Sequence, residues 1–194
     1  MWAEESMVYQ IYPLGMCGAP FENDGIPEHR ILRVLDWIPH LEKLGVTAVL
    51  FNPLFESDTH GYNTRDFRKV DVRLGTNEDF KRVCDALHAA GIRIILDGVF
   101  NHTGDDSRYF NREGQYDTIG AFQSPDSPYY EWYNFRNFPY EYESWWNFST
   151  LPDVKETTPS YMDFIIYDKD SVMHHWMKEG IAGWRLDVID ELPA

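Results

Sequence analysis

Cysteine is nearly absent: the 194 residues include two, Cys17 and Cys84, too few for a disulfide framework. Cys84 falls on the apolar face of an expected helix, where a thiol behaves as a small buried hydrophobe. Two unpaired thiols fit a reducing, cytoplasmic setting. No apolar run approaches the ~20 residues that span a bilayer. The opening Met1-Trp2-Ala3-Glu4-Glu5-Ser6 has neither a basic n-region nor an apolar h-region, so no secretory signal is expected. Strand-like sequence begins at Met7, so no further N-terminal module is expected. Without a signal, the formal glycosylation sequons Asn101-His102-Thr103 and Asn147-Phe148-Ser149 carry no meaning. Positive charge is scarce, with 17 Lys and Arg against 32 Asp and Glu and a net charge of -15. That balance argues against nucleic acid and anionic membranes as partners.

What is present is a repeated pattern of amphipathic helix, glycine and short apolar strand. Ile31, Leu35, Ile38 and Leu41 recur at helical spacing, and Gly45 follows as a left-handed cap. Residues 46–51, Val-Thr-Ala-Val-Leu-Phe, form a continuous apolar run of the kind that parallel strands show. Thr76-Asn77-Glu78-Asp79 opens the next helix with a capping-box-like start; Phe80, Val83, Cys84 and Leu87 share one face, Gly91 ends it, and residues 92–97 give the next strand. A third copy runs from about Asp170 to Gly180, with its strand over 181–188. Val8-Tyr9-Gln10-Ile11-Tyr12 is an earlier strand with no helix before it.

Such alternation predicts a parallel sheet with crossover helices. A doubly wound sheet that binds a dinucleotide would carry G-x-G-x-x-G after its first strand, and Gly15-Met16-Cys17-Gly18-Ala19-Pro20 does not supply it. The expected architecture is therefore α/β, a partial (β/α)8 barrel made of strands one to four, since a full barrel takes ~250 residues. Residues 1–102 and 168–194 would form the half barrel, and residues 103–167 an irregular inserted subdomain.

That insertion is too long for a plain loop and is dense in aromatic residues, from Tyr129 through Trp132, Tyr133, Phe135 and Tyr142 to Phe148. Most of these rings are expected to form a small core of their own, with a few left to line a cleft, because a ring's π face suits the C–H face of a pyranose. Trp145 and Trp146 would point to opposite sides if the segment is extended, leaving one as a candidate platform.

In parallel barrels the chemistry lies at the C-terminal strand ends, and here those ends are polar: Asn52-Pro53, then Asp97-Gly98-Val99-Phe100-Asn101-His102, then Arg185-Leu186-Asp187. Arg185 and Asp187 are two residues apart, so on a strand both face the mouth, while Trp184, Leu186 and Val188 face the helices. An adjacent cation favours the ionised form of a carboxylate, which is the form a glycosidase nucleophile needs. The same spacing also fits a buried Arg–Asp pair that simply closes the barrel.

These segments resemble those of the α-amylase family of glycoside hydrolases. Residues 97–102 resemble its D-x-V-x-N-H segment, residues 183–188 its G-x-R-x-D segment, and His60-Gly61-Tyr62-Asn63-Thr64-Arg65-Asp66-Phe67 its G-Y-x-x-x-D-Y segment. Leu151-Pro152-Asp153-Val154 is similar to the short variable segment of the inserted domain, and Val8 to Pro13 to the opening strand. The order and spacing agree along nearly the whole chain. The resemblance implies a retaining mechanism on α-glucosidic bonds of starch-derived oligosaccharides. It implies Asp187 as the nucleophile, Arg185 as its orienting partner, Asp97 as the group that pairs with Arg185, His102 as a hydrogen-bond partner of a sugar hydroxyl and Tyr62 as a stacking ring. It implies no required cofactor; Asn101 is the position of a structural calcium ligand in calcium-dependent members, and calcium takes ~6–8 oxygens. Related maltodextrin-acting enzymes often carry a glutamate near Glu191, but Asp190 and Glu191 are expected to lie in a solvated loop or a first helical turn.

In the family, the general acid/base glutamate and a second essential aspartate come from strands five and seven, beyond this sequence. The chain alone is therefore expected to be inactive, and the open edges of a half barrel to promote self-association. Alternatives within reach of the same motifs are transglycosylation and a non-catalytic carbohydrate-binding or partner-binding relative, though such relatives typically lose the nucleophile.

Overall fold

The structure, a computed structural model, describes residues 2–193. β1 (Val8–Ile11) leads into the short helix α1 (Pro13–Met16). A 3-10 segment, Arg30–Trp37, continues directly into α2 (Ile38–Leu44), and β2 (Ala48–Phe51) follows. The single α-helix expected over residues 31–41 is thus split. Pro39 sits at the start of α2, where its missing N–H and fixed φ are tolerated, whereas inside a longer helix it would remove a backbone bond. Gly45 caps α2 in the left-handed conformation at φ 74°.

A hairpin follows, β3 (Phe55–Ser57) with β4 (Thr64–Val70), and had no counterpart in the expected element order. Fully buried Arg73 anchors it. Its guanidinium donates to both carboxylate oxygens of Asp71, to Ser57 Oγ and to the carbonyls of Pro20 and Phe21. These bonds tie the loop after α1 to the hairpin, and a buried charge with all its donors used is tolerated where an unpaired one is not. Next comes α3 (Asn77–Ala89), opened by Thr76 and Asp79 in a reciprocal capping box. β5 (Arg93–Gly98) completes the second unit.

After β5 the chain makes its long excursion. It contains the small antiparallel pair β6 (Phe135–Asn137) and β7 (Glu141–Tyr142), and ends in α4 (Pro159–Met162), which runs on as a π-turn over Asp163–Tyr167. Phe110, Trp132 and Tyr133 are buried at its centre, while Tyr140, Trp146 and Phe148 remain exposed. Its last part folds back on the barrel strand. Val154 N–H donates to Asn101 O, Thr103 N–H to Pro152 O, and Tyr161 OH to Phe100 O. α5 (Val172–Glu179), capped by Ser171 and Gly180, then delivers β8 (Gly183–Leu186).

The four strands β1, β2, β5 and β8 form one parallel sheet in sequence order. With helices between them, this is a partial (β/α)8 barrel. β8 is shorter than the expected 181–188, and Asp187 lies just past its end, where its N–H still donates to Gly98 O at 3.0 Å.

Candidate active site

The parallel register brings the carboxyl ends of all four strands to one place, and their polar side chains form a continuous chain of hydrogen bonds. Gln10 Nε2, on β1, donates to Asn52 Oδ1 at 2.8 Å. Asn52 Nδ2, just after β2, donates to Tyr62 OH at 2.9 Å and to Asp97 Oδ2 at 3.3 Å. Tyr62 OH donates to the same Asp97 oxygen at 3.3 Å. Asp97 Oδ1 accepts from Arg185 Nη1 at 2.8 Å, and that nitrogen also reaches Asp187 Oδ1 at 2.5 Å.

Asp97 is a buried carboxylate with three donors. Burial pushes its pKa upward, and the Arg185 guanidinium works against that rise. Burial and the Asp97 charge likewise hold Tyr62 above the usual phenol value, so its hydroxyl stays a donor. Asp187 differs in having one oxygen engaged: among the described residues no donor meets its Oδ2. In this chain the Arg185 side chain is 44% exposed and Asp187 opens onto a cavity.

That cavity, of about 500 Å³, is lined by His60, Tyr62, His102, Trp145, Phe148, Asp187 and Val188, among others. Val188, expected to face the helices, turns into the cavity instead; the strand has already ended, and its φ of 44° breaks the alternation. His102 is almost fully buried, and its Nε2 bonds the Tyr62 carbonyl at 2.8 Å. A carbonyl only accepts, so Nε2 carries the proton and Nδ1, which has no partner, is a bare acceptor. Burial holds His102 below the usual imidazole pKa, so the ring is neutral, although the Tyr62 carbonyl pulls the other way. His60 is lowered by burial as well, against Asp58.

A second cavity, of about 360 Å³, is apolar and includes Leu186, whose side chain alternates with that of Arg185 along β8. It holds none of the polar network, so the chemistry belongs to the first.

Asn101 does not line the cavity of Asp187. It borders a polar chamber with Asn134, Glu143, Asp153, Glu156 and Glu191. Its Oδ1 is buried without a partner, the kind of atom a cation would satisfy. Yet among the described residues no group of three or more His, Cys, Asp or Glu side chains is placed to hold a metal ion. Calcium takes ~6–8 oxygens, of which Asn101 would supply one.

Two features were not foreseen. Gln10 joins the network through a position that looked like plain strand. Glu191, on an exposed turn as expected, also accepts hydrogen bonds from the indoles of both Trp145 and Trp146. Those two rings do not diverge as an extended segment would require. They sit in a 3-10 turn with Trp146 at φ 50°, which turns both toward one side.

Comparison with known proteins accords with this geometry. The family model for the alpha amylase catalytic domain matches residues 31–194. The chain belongs to the alpha-amylase family. The amylopullulanase of Thermoanaerobacterium saccharolyticum is 42% identical over 176 aligned residues, covering 81% of this chain and 14% of that protein. Neopullulanase 2 of Thermoactinomyces vulgaris is 33% identical over 215, covering 98% of this chain and 35% of its own length. Among solved structures, the debranching enzyme from Nostoc punctiforme superposes with a TM-score of 0.78 at 28% identity, covering 98% of this chain and 43% of that one. The cyclic α-maltosyl-(1→6)-maltose hydrolase of Arthrobacter globiformis, in complex with that sugar, gives 0.78 at 27% identity, covering 99% and 46%. The chain thus spans less than half the length of these alpha-amylase family relatives. No helix among the described residues is long and apolar enough to cross a membrane.

Proposed function

We propose that this chain is the N-terminal half of the catalytic barrel of a retaining glycosidase acting on starch-type α-glucans, with Asp187 as the nucleophile. The observation that carries this is the state of Asp187: one oxygen fixed by Arg185 at 2.5 Å, the other without a donor, at the lip of a cavity that also holds Tyr62 and His102. An ionised, oriented carboxylate with a free oxygen can attack the anomeric carbon of a bound glucosyl unit and form a glycosyl-enzyme ester, which water then opens with net retention. In this reading Tyr62 packs against the sugar ring, His102 hydrogen-bonds a sugar hydroxyl, and Asp97 holds Arg185 in place from below.

The leaving oxygen needs a proton from a second carboxyl group ~5–5.5 Å from the nucleophile. Asp97 and Glu191 are both engaged as acceptors. Asp97 accepts from Arg185, Asn52 and Tyr62, and Glu191 accepts from two indoles. We assign the acid to a part of the protein outside these residues, where the relatives have more than half of their length.

One experiment tests both statements. The full-length protein should hydrolyse maltotriose with the α-anomer as first product, observed by proton NMR, and Asp187→Asn should lower kcat on the order of 10⁴-fold or more. The 194-residue chain alone should show no turnover. Inversion of configuration, or substantial activity in Asp187→Asn, would contradict the assignment.

A further inference from the structure

Two indole N–H groups converge on one carboxylate. Trp145 Nε1 donates to Glu191 Oε2 at 2.9 Å, and Trp146 Nε1 to Glu191 Oε1 at 3.3 Å. The two indoles stack, with centroids 5.2 Å apart and planes 25° apart. The inner one, Trp145, lies in the same manner over the His102 imidazole at 5.4 Å and 25°. Three rings therefore step outward from the cavity of Asp187 to the surface, where Trp146 is 70% exposed.

Burial does not account for this arrangement. A ring so exposed gains little from the hydrophobic effect where it stands. Trp146 and Asn147 also have φ of 50° and 63°, a backbone region disfavoured for residues with a Cβ. The backbone N–H of Trp145 is held on the Leu151 carbonyl, and the side-chain contact that joins both indoles is the carboxylate; hydrogen bonds to an ionised acceptor are the stronger kind. Glu191 lies four residues beyond Asp187, on the turn that follows β8, whereas both tryptophans belong to the long excursion after β5. One side chain thus links an exposed aromatic surface from a distant part of the sequence to the turn that carries Asp187.

We propose that Glu191 is a positioning residue that locks Trp145 and Trp146 into a platform for a further sugar ring of an oligosaccharide whose reacting ring sits at Asp187. This rests on the α-glucan reading above. The π face of an indole suits the C–H face of a pyranose, and a platform held at fixed distance from the nucleophile rewards substrates with several rings over those with one. Glu191 acts through the tryptophans and does not touch the reacting atoms.

The test uses the full-length protein with Glu191→Ala, Glu191→Gln and Trp146→Phe. Without any sugar, the stacked indoles should give an exciton couplet in ultraviolet circular dichroism. It should vanish in Glu191→Ala and Trp146→Phe and survive in part in Glu191→Gln, which keeps one acceptor oxygen. With maltotriose, Glu191→Ala should raise KM about tenfold, the equivalent of losing one favourable ring contact. Its kcat should stay within about twofold, the pattern of a lost binding contact. KM for 4-nitrophenyl α-glucoside, which has one sugar ring, should change little. An unaltered couplet in Glu191→Ala, or a lost couplet with unchanged KM for maltotriose, would overturn the proposal. A wild-type protein that does not cleave maltotriose would overturn the glycosidase reading instead, and the dichroism would still decide whether Glu191 holds the pair.

Discussion

Burial and neighbouring charge set the protonation of several groups near the mouth, and they act in opposite senses. His102 and His60 are held below the usual imidazole value, first by burial. Their neutral forms stabilise the fold above the ordinary value of 6.5, and that stability is lost as pH falls below it and the unfolded chain takes up protons. Asp153 behaves in the reverse way. Burial, with Glu156, Glu143 and Glu191 nearby, lifts it from 3.8 to about 6. Between those values the folded chain binds more protons than the unfolded one, so stability falls as pH rises through that window. Asp153→Asn should therefore stabilise the chain at pH 7 by about 1 kcal/mol, less than the full shift would give because the group keeps some solvent contact. The same change should be neutral below pH 3.8. Urea unfolding at the two pH values measures this; destabilisation at neutral pH would contradict it. At this scale the sequence told part of the story. Arg185 and Asp187 could be paired from their spacing alone, because a strand puts alternate side chains on one face. The contact between Glu191 and Trp145, 46 residues away, follows from no local pattern.

Elements whose stability comes from continuous apolar burial were legible. β2 is Ala-Val-Leu-Phe and β5 carries Ile94-Ile95-Leu96 at its centre, and α3 announces itself through Thr76 and Asp79. The hairpin β3–β4 was not legible because its strands are largely polar. Glu56 and Ser57 are buried, and Arg65, Asp66, Arg68 and Lys69 lie along the second strand. It is held by side chains from elsewhere in the chain, Arg108 paired with Asp66 and Asn23 Nδ2 donating to Glu56, and a propensity reading does not see partners far along the chain. Helix ends give a direct test. Gly180 closes α5 at φ 111°, and a Cβ there would meet His88 Cε1 at 2.9 Å. Gly180→Ala should cost about 1–2 kcal/mol, from backbone strain and the close contact together. Thermal unfolding should show a lowered Tm; an unchanged Tm would mean that the turn before β8 is not constrained as described.

At the scale of the whole molecule, β1 and β8 are the two outer strands of the sheet, each bonded to a neighbour on one side only. Unpaired parallel edges are templates for association. The isolated chain should dimerise or aggregate, with light scattering as the measurement; a monodisperse monomer would count against open edges. The order of strands and helices was legible because each unit repeats the same apolar pattern. The path of the long excursion was not, since its aromatic rings pack through irregular backbone. How that excursion returns to pair with Asn101 and Thr103 was visible only in three dimensions.

The proposed chemistry turns on attack of Asp187 at the anomeric carbon. The most direct measurement is to inactivate the full-length protein with a 2-deoxy-2-fluoro-α-glucosyl fluoride or a related mechanism-based fluorosugar, digest it, and locate the attached sugar by mass spectrometry. A single ester on the peptide that carries Asp187 is expected. A label on any other carboxylate would contradict it.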